Sequence, residues 1–193
     1  MSNPRGVLEW LYDRLSGALV TIDYAHHEVH AGDAYHAETS VLSGMADAAT
    51  RIMAFKTRPD CDCVHVVVDF ITLTGGRVEM IEDPTWDAES GSLINIQNRR
   101  RGSSNVSELL ENKTLPAFGA NGKIMIDPTS FANGEVIRTW EAYGDKGKFS
   151  GASRSRSEML LKADATYGFK FTSTAAANAM LMTLDWYEHT PGV

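Results

Sequence analysis

Near the end of the chain, Met180, Met182, Leu184 and Trp186 alternate with Leu181, Thr183, Asp185 and Tyr187. A two-residue period belongs to a strand, whose successive side chains point to opposite faces of a sheet. The same period recurs in Cys63-Val-His-Val-Val-Val-Asp-Phe-Ile71, where Val64, Val66, Val68 and Phe70 share one face. Leu73-Thr-Gly-Gly-Arg-Val78 then reads as a hairpin, because Gly-Gly supplies the positive φ angles of tight turns. The return strand passes through Val78, Met80 and Ile81 to a turn at Asp83-Pro84. Further short strands are expected at 93–97, 123–127, 135–143, 157–162 and 165–173. About eight such strands predict a mainly β chain, an antiparallel β-sandwich of jelly-roll-like form.

With 193 residues, 43% apolar and 22% charged, the chain can bury one core. The expected division is an N-terminal helical arm at 1–19 and a sandwich domain at 20–193, with a long loop at about 98–122. In the arm, Asn3 suits a helix cap, Pro4 the first helical position and Gly17 the stop. Val7, Leu8, Leu11 and Leu15 form its apolar stripe, and a helix this short must dock on something. A second helix is expected in the Ala-rich stretch 38–50. A net charge of −7 argues against wholesale binding to nucleic acid. No apolar run approaches the roughly 18 residues that a membrane helix needs. Arg5, Glu9, Asp13 and Arg14 interrupt the apolar stretch that a secretory signal would carry. The expectation is a chain made and folded in a cytoplasm, without a membrane partner.

The densest polar cluster is Ile22–His36, which holds His26, His27, His30 and His36 beside Asp23, Glu28 and Asp33. Asp185-Trp186-Tyr187-Glu188-His189 echoes it at the other end. A metal site, a general acid/base site and a polar assembly surface all fit these residue types. His26-His27-Glu28-Val29-His30 lacks the H-E-x-x-H order of zinc proteases. His26 and His30 would share one face of a helix, but Val20, Ile22 and Tyr24 alternate like an incoming strand. In a strand, His26, Glu28 and His30 share one face, with Asp23, His27 and Val29 on the other. A cupin-like enzyme would carry an HxH or HxD pair, which this chain lacks. The bland reading is a hydrogen-bonded network, since imidazole, carboxylate and phenol supply donors and acceptors together. No catalytic residue, metal or cofactor is therefore assigned. Asp23, His26, His27, Glu28 and His30, with Trp186, Tyr187, Glu188 and His189, are candidate structural or interface residues.

Three smaller features also admit more than one reading. Cys61, Cys63 and His65 would align as a three-ligand row in a strand, although small half-buried strand residues are the simpler reading. Two residues apart in a strand, the cysteines lie about 7 Å from each other, too far for a relaxed disulfide. Arg99, Arg100 and Arg101 suit a grip on phosphate or carboxylate; contact with an acidic partner is preferred to a solvated loop or a nucleic-acid contact. Trp86 or Trp140 on a sugar platform would make a carbohydrate-binding sandwich, but Trp140 and Trp186 sit at strand positions and read as core or interface aromatics.

Several segments together resemble a known group. They are Ile22-Asp-Tyr-Ala-His-His-Glu-Val-His-Ala-Gly32, Phe55-Lys-Thr57, Asn98-Arg-Arg-Arg-Gly-Ser-Ser104, Arg156-Ser-Glu-Met-Leu-Leu-Lys162 with Thr166-Tyr167, and Leu184-Asp-Trp-Tyr-Glu-His-Thr-Pro191. In this order they are similar to the capsid decoration (cement) proteins of tailed bacteriophages, over roughly residues 20–191. The resemblance implies a β-sandwich or jelly-roll body and a homo-oligomer, expected to be a trimer. It further implies binding to the major capsid protein on the outside of the head. It brings no catalytic residues. The alternatives carried beside it are a head-fibre base or tail protein, a cupin-like metal-dependent enzyme and a carbohydrate-binding sandwich.

Overall fold

A computed structural model describes residues 24–59, 63–87, 90–107, 109, 123–143 and 158–189. Asp23, Cys61, the expected arm at 1–19 and most of the loop at 98–122 lie outside the described residues. Among the described residues, the elements in chain order are one helix, α1 (Tyr24–Ala31), and twelve strands. The first six strands are β1 (Ala34–Glu38), β2 (Leu42–Met45), β3 (Thr50–Lys56), β4 (Cys63–Thr72), β5 (Gly75–Glu82) and β6 (Ser92–Ile94). The others are β7 (Gln97–Asn98), β8 (Ile124–Ile126), β9 (Glu135–Tyr143), β10 (Met159–Leu161), β11 (Thr166–Ser173) and β12 (Asn178–His189).

The strands form two six-stranded sheets. One runs β10-β4-β12-β1-β7, with β2 also paired to β12; the other runs β6-β8-β3-β11-β5-β9. Every ladder is antiparallel. The inward rows pack face to face into one core, in which Phe55, Phe70, Phe169, Phe171, Tyr167 and Trp186 are almost wholly buried. The alternations in β4 and β12 place their apolar rows there, and the chain is a β-sandwich.

The expected hairpin forms, but it turns at Leu73-Thr74, and the two glycines open β5, with Gly75 alone of the pair at positive φ (118°). Its brace comes from the far end of the chain. Asn178 Oδ1 accepts from the Thr72 hydroxyl and from the amides of Leu73 and Thr74 (3.0, 3.2 and 3.0 Å). Its amide nitrogen donates to Gly75 O at 2.7 Å and to Ser173 Oγ at 2.8 Å. A fully buried side-chain amide thus supplies the partners of the turn's backbone groups.

Three expectations are corrected. Residues 38–50 are not helical: Leu42–Met45 pairs with β12 and a new strand starts at Thr50. Gly44 (φ 70°) and Ala48 (φ 59°) take left-handed backbone that interrupts any helix. Residues 24–31 form a helix, not the tail of an incoming strand. The single strand expected at 93–97 is two short strands on different sheets, β6 against β8 and β7 against β1.

Candidate functional site

The histidine-rich segment and the closing motif meet. β1 lies antiparallel to β12 with Ala34 opposite Tyr187, Tyr35 opposite Trp186 and His36 opposite Asp185. On the core side, the rings of Tyr35 and Trp186 stack at 5.8 Å between centroids. On the outer side, His36 Nδ1 and Asp185 Oδ1 are 3.0 Å apart. Val29 of α1 packs on Ala34 and Tyr187, which seats the helix on the outer face of the sheet.

Helix geometry separates the residues that a strand would have aligned. His26 and His30 are exposed, and their Nε2 atoms lie 2.9 Å apart. Glu28 is 5% exposed and turned inward, with His27 Nδ1 at 3.2 Å. Residues four apart share a helix face, whereas a residue two along points away from it. The shared face expected for His26, Glu28 and His30 is therefore replaced by two faces. Among the described residues, no three or more His, Cys, Asp and Glu side chains converge on a metal position.

The loop that follows β7 is fastened to the end of α1. The amides of Gly32 and Asp33 both donate to Glu28 O at 3.0 Å, and Gly32 takes φ 93°, the left-handed stop of a helix. A Cβ at Gly32 would sit 2.4 Å from Ser103 Oγ, so glycine also admits the loop. Arg100 Nη1 donates to His30 O at 2.7 Å, a cation on the negative end of the helix. Asn98 Nδ2 donates to Gly32 O at 2.7 Å, and Asn105 Nδ2 to Asp33 Oδ1 at 2.8 Å. Arg101 Nη1 donates to Gln97 Oε1 at 2.6 Å, while the amide of Arg99 donates to Ala34 O. The basic run thus has internal work at Arg100 and Arg101, and the Arg99 residue is exposed. A cleft of about 200 Å³ opens between this loop and Tyr35, lined by Asn98, Arg101, Ser103, Asn105 and Ser107 among others.

Glu188 joins the loop to the core. Its Oε1 accepts from Ser107 Oγ at 2.6 Å and from Trp186 Nε1 at 2.7 Å, all at buried positions. A buried carboxylate with two donors on one oxygen is held in a single geometry. Tyr187 points outward into a second cluster. Its ring stacks on His65 at 4.5 Å, and both its hydroxyl and His65 Nδ1 bond to Glu158 Oε1. His65 Nδ1 thus faces Glu158; the expected row with Cys61 and Cys63 involves side chains that, like that of His189, lie outside the described residues. The backbone of His189 pairs with Cys63 at the end of the β4–β12 ladder.

Sequence reasoning missed Glu158, Asn105, Ser107 and Asn178, because each acts across a separation that no local spacing reveals. Trp86 is 7% exposed and stacked on Phe131, so it offers no sugar platform. Trp140 is half-buried, lies 6.5 Å from Phe169 and carries the Arg138 guanidinium 5.0 Å from its ring centre. Comparison with protein-family models, with curated proteins and with solved structures finds no match.

Proposed function

We propose that this chain is a tailed-phage virion protein that binds the outside of the capsid and stabilises the shell. It does so as a homo-oligomer, a trimer in the form that the resemblance implies, with the major capsid protein as its partner. Its place is the virion exterior after synthesis in the host cytoplasm, on a body of jelly-roll-like descent.

One observation supports this reading above the others. Three of the segments that carry the resemblance, in their described parts 24–32, 98–104 and 184–189, lie far apart in the chain and interlock through β1, β12, α1 and the loop after β7. Motifs joined in one bonded unit suit a rigid platform that presents its rim to a larger assembly. Symmetric copies on a lattice multiply a modest affinity at each contact, which is how such a platform adds strength to a shell.

The test is reconstitution. Heads of the encoding phage that lack this chain are mixed with the purified protein and sedimented. Saturable co-sedimentation and greater resistance of the heads to heat support the reading. Protein that stays in the supernatant at every concentration overturns it.

A further inference from the structure

We propose that His26 and His30 form a two-imidazole chelate for a divalent transition-metal ion of the nickel(II)/copper(II) class. The two Nε2 atoms are 2.9 Å apart and the rings are tilted by 58° with centroids 4.7 Å apart. Imidazole nitrogens bind such metals at about 2.0–2.1 Å, so two of them at a right angle around one ion lie about 2.9 Å apart. Tetrahedral angles would open the same pair to about 3.3 Å. The observed separation thus matches neighbouring positions of a square-planar or octahedral ion, the geometries of copper(II) and nickel(II).

The pair is also held in place. Val29, between the two histidines, anchors the helix on Ala34 and Tyr187. Arg100 holds the carbonyl of His30, and Gly32 ends the helix two residues later. Both rings are exposed, so an ion reaches them with its other positions filled by water. Without metal, one ring donates its Nε2–H to the lone pair of the other across the same distance. On binding, the donor ring takes the tautomer protonated at Nδ1, so that both Nε2 lone pairs face the ion.

The inference does not depend on the capsid reading, and either can fail alone. The experiment titrates nickel(II) chloride into the untagged full chain by calorimetry, beside His26→Ala, His30→Ala and His27→Ala. The expected result is one site in the parent and in His27→Ala, at least about tenfold weaker in each of the other two, because the chelate is reduced to a single ligand. Circular dichroism verifies the fold of each variant. Anomalous scattering at the nickel edge from soaked crystals of the parent locates the ion independently, with a peak expected between the two Nε2 atoms. Equal nickel binding by the parent and by His26→Ala or His30→Ala overturns the proposal, as does an anomalous peak elsewhere only.

Discussion

His36 and Asp185, 149 residues apart in sequence, face each other across the β1–β12 ladder with 3.0 Å between Nδ1 and Oδ1. The pair ties the histidine-rich opening to the closing motif on the outer side of the sheet. Both side chains are partly exposed, so solvent weakens the attraction. A double-mutant cycle with His36→Ala and Asp185→Ala is expected to give a coupling of about 0.5 kcal/mol, measured by urea denaturation.

Asn178 matters far more to stability than its place at the start of β12 suggests. Asn178→Ala takes away the acceptor of the Thr74 amide and the donor to Gly75 O, while the Leu73 amide keeps its bond to Ala179 O. The expected loss is about 3 kcal/mol, because several buried groups lose partners at once. Asn178→Asp keeps the acceptor oxygen but loses the donor to Gly75 O, and places a charge in the core. Both variants are expected to unfold at lower urea than the parent.

The sandwich was legible because Val64–Phe70 and Met180–Trp186 bury one face of a strand, a pattern that survives without tertiary information. α1 was not legible. Val29 is the apolar residue of its second half that packs on the body, beside the buried Glu28, so no apolar stripe at helical spacing marks it. The Ala-rich stretch at 46–49 favours a helix locally, yet pairing of Leu42–Met45 with β12 outweighs that propensity. At the candidate site, the two motifs were legible as an echo of each other at opposite ends of the chain. Their partners Glu158, Ser107 and Asn105 were hidden because they join through the fold alone.

Gly32 is expected to accept no side chain without cost. Gly32→Ala forces L-residue backbone to φ 93° and drives a Cβ toward Ser103. A loss of about 1–2 kcal/mol is expected from the backbone alone. Hydrogen exchange separates local from global effects: the amides of Ser103 and Asn105 should exchange faster while those of β11 keep their order of protection.

Tyr167, Glu82 and Lys162 form a pH-sensitive joint between β5, β10 and β11. Tyr167 donates to Glu82 Oε2 at 3.0 Å and accepts from the amide of Lys162 at 2.9 Å. The Lys162 ammonium holds the Glu82 carboxyl below its ordinary value; burial opposes this, and the Tyr167 hydroxyl adds to it. The unfolded chain therefore takes up that proton first on acidification. The contribution of Glu82 is present above the ordinary carboxylate range and is lost as pH falls through its folded value. Burial pushes the Tyr167 phenol above its ordinary 10.0, so the unfolded chain ionises first as pH rises and stability falls. Urea midpoints measured at pH 9 and 11 are expected to drop more in the parent than in Tyr167→Phe.

Cryo-electron microscopy of intact particles of the encoding phage tests the virion reading most directly. The expected result is density on the outer surface of the head that accepts the two six-stranded sheets, repeated on the icosahedral lattice. A map of the whole particle with no density for this chain on the shell would contradict it.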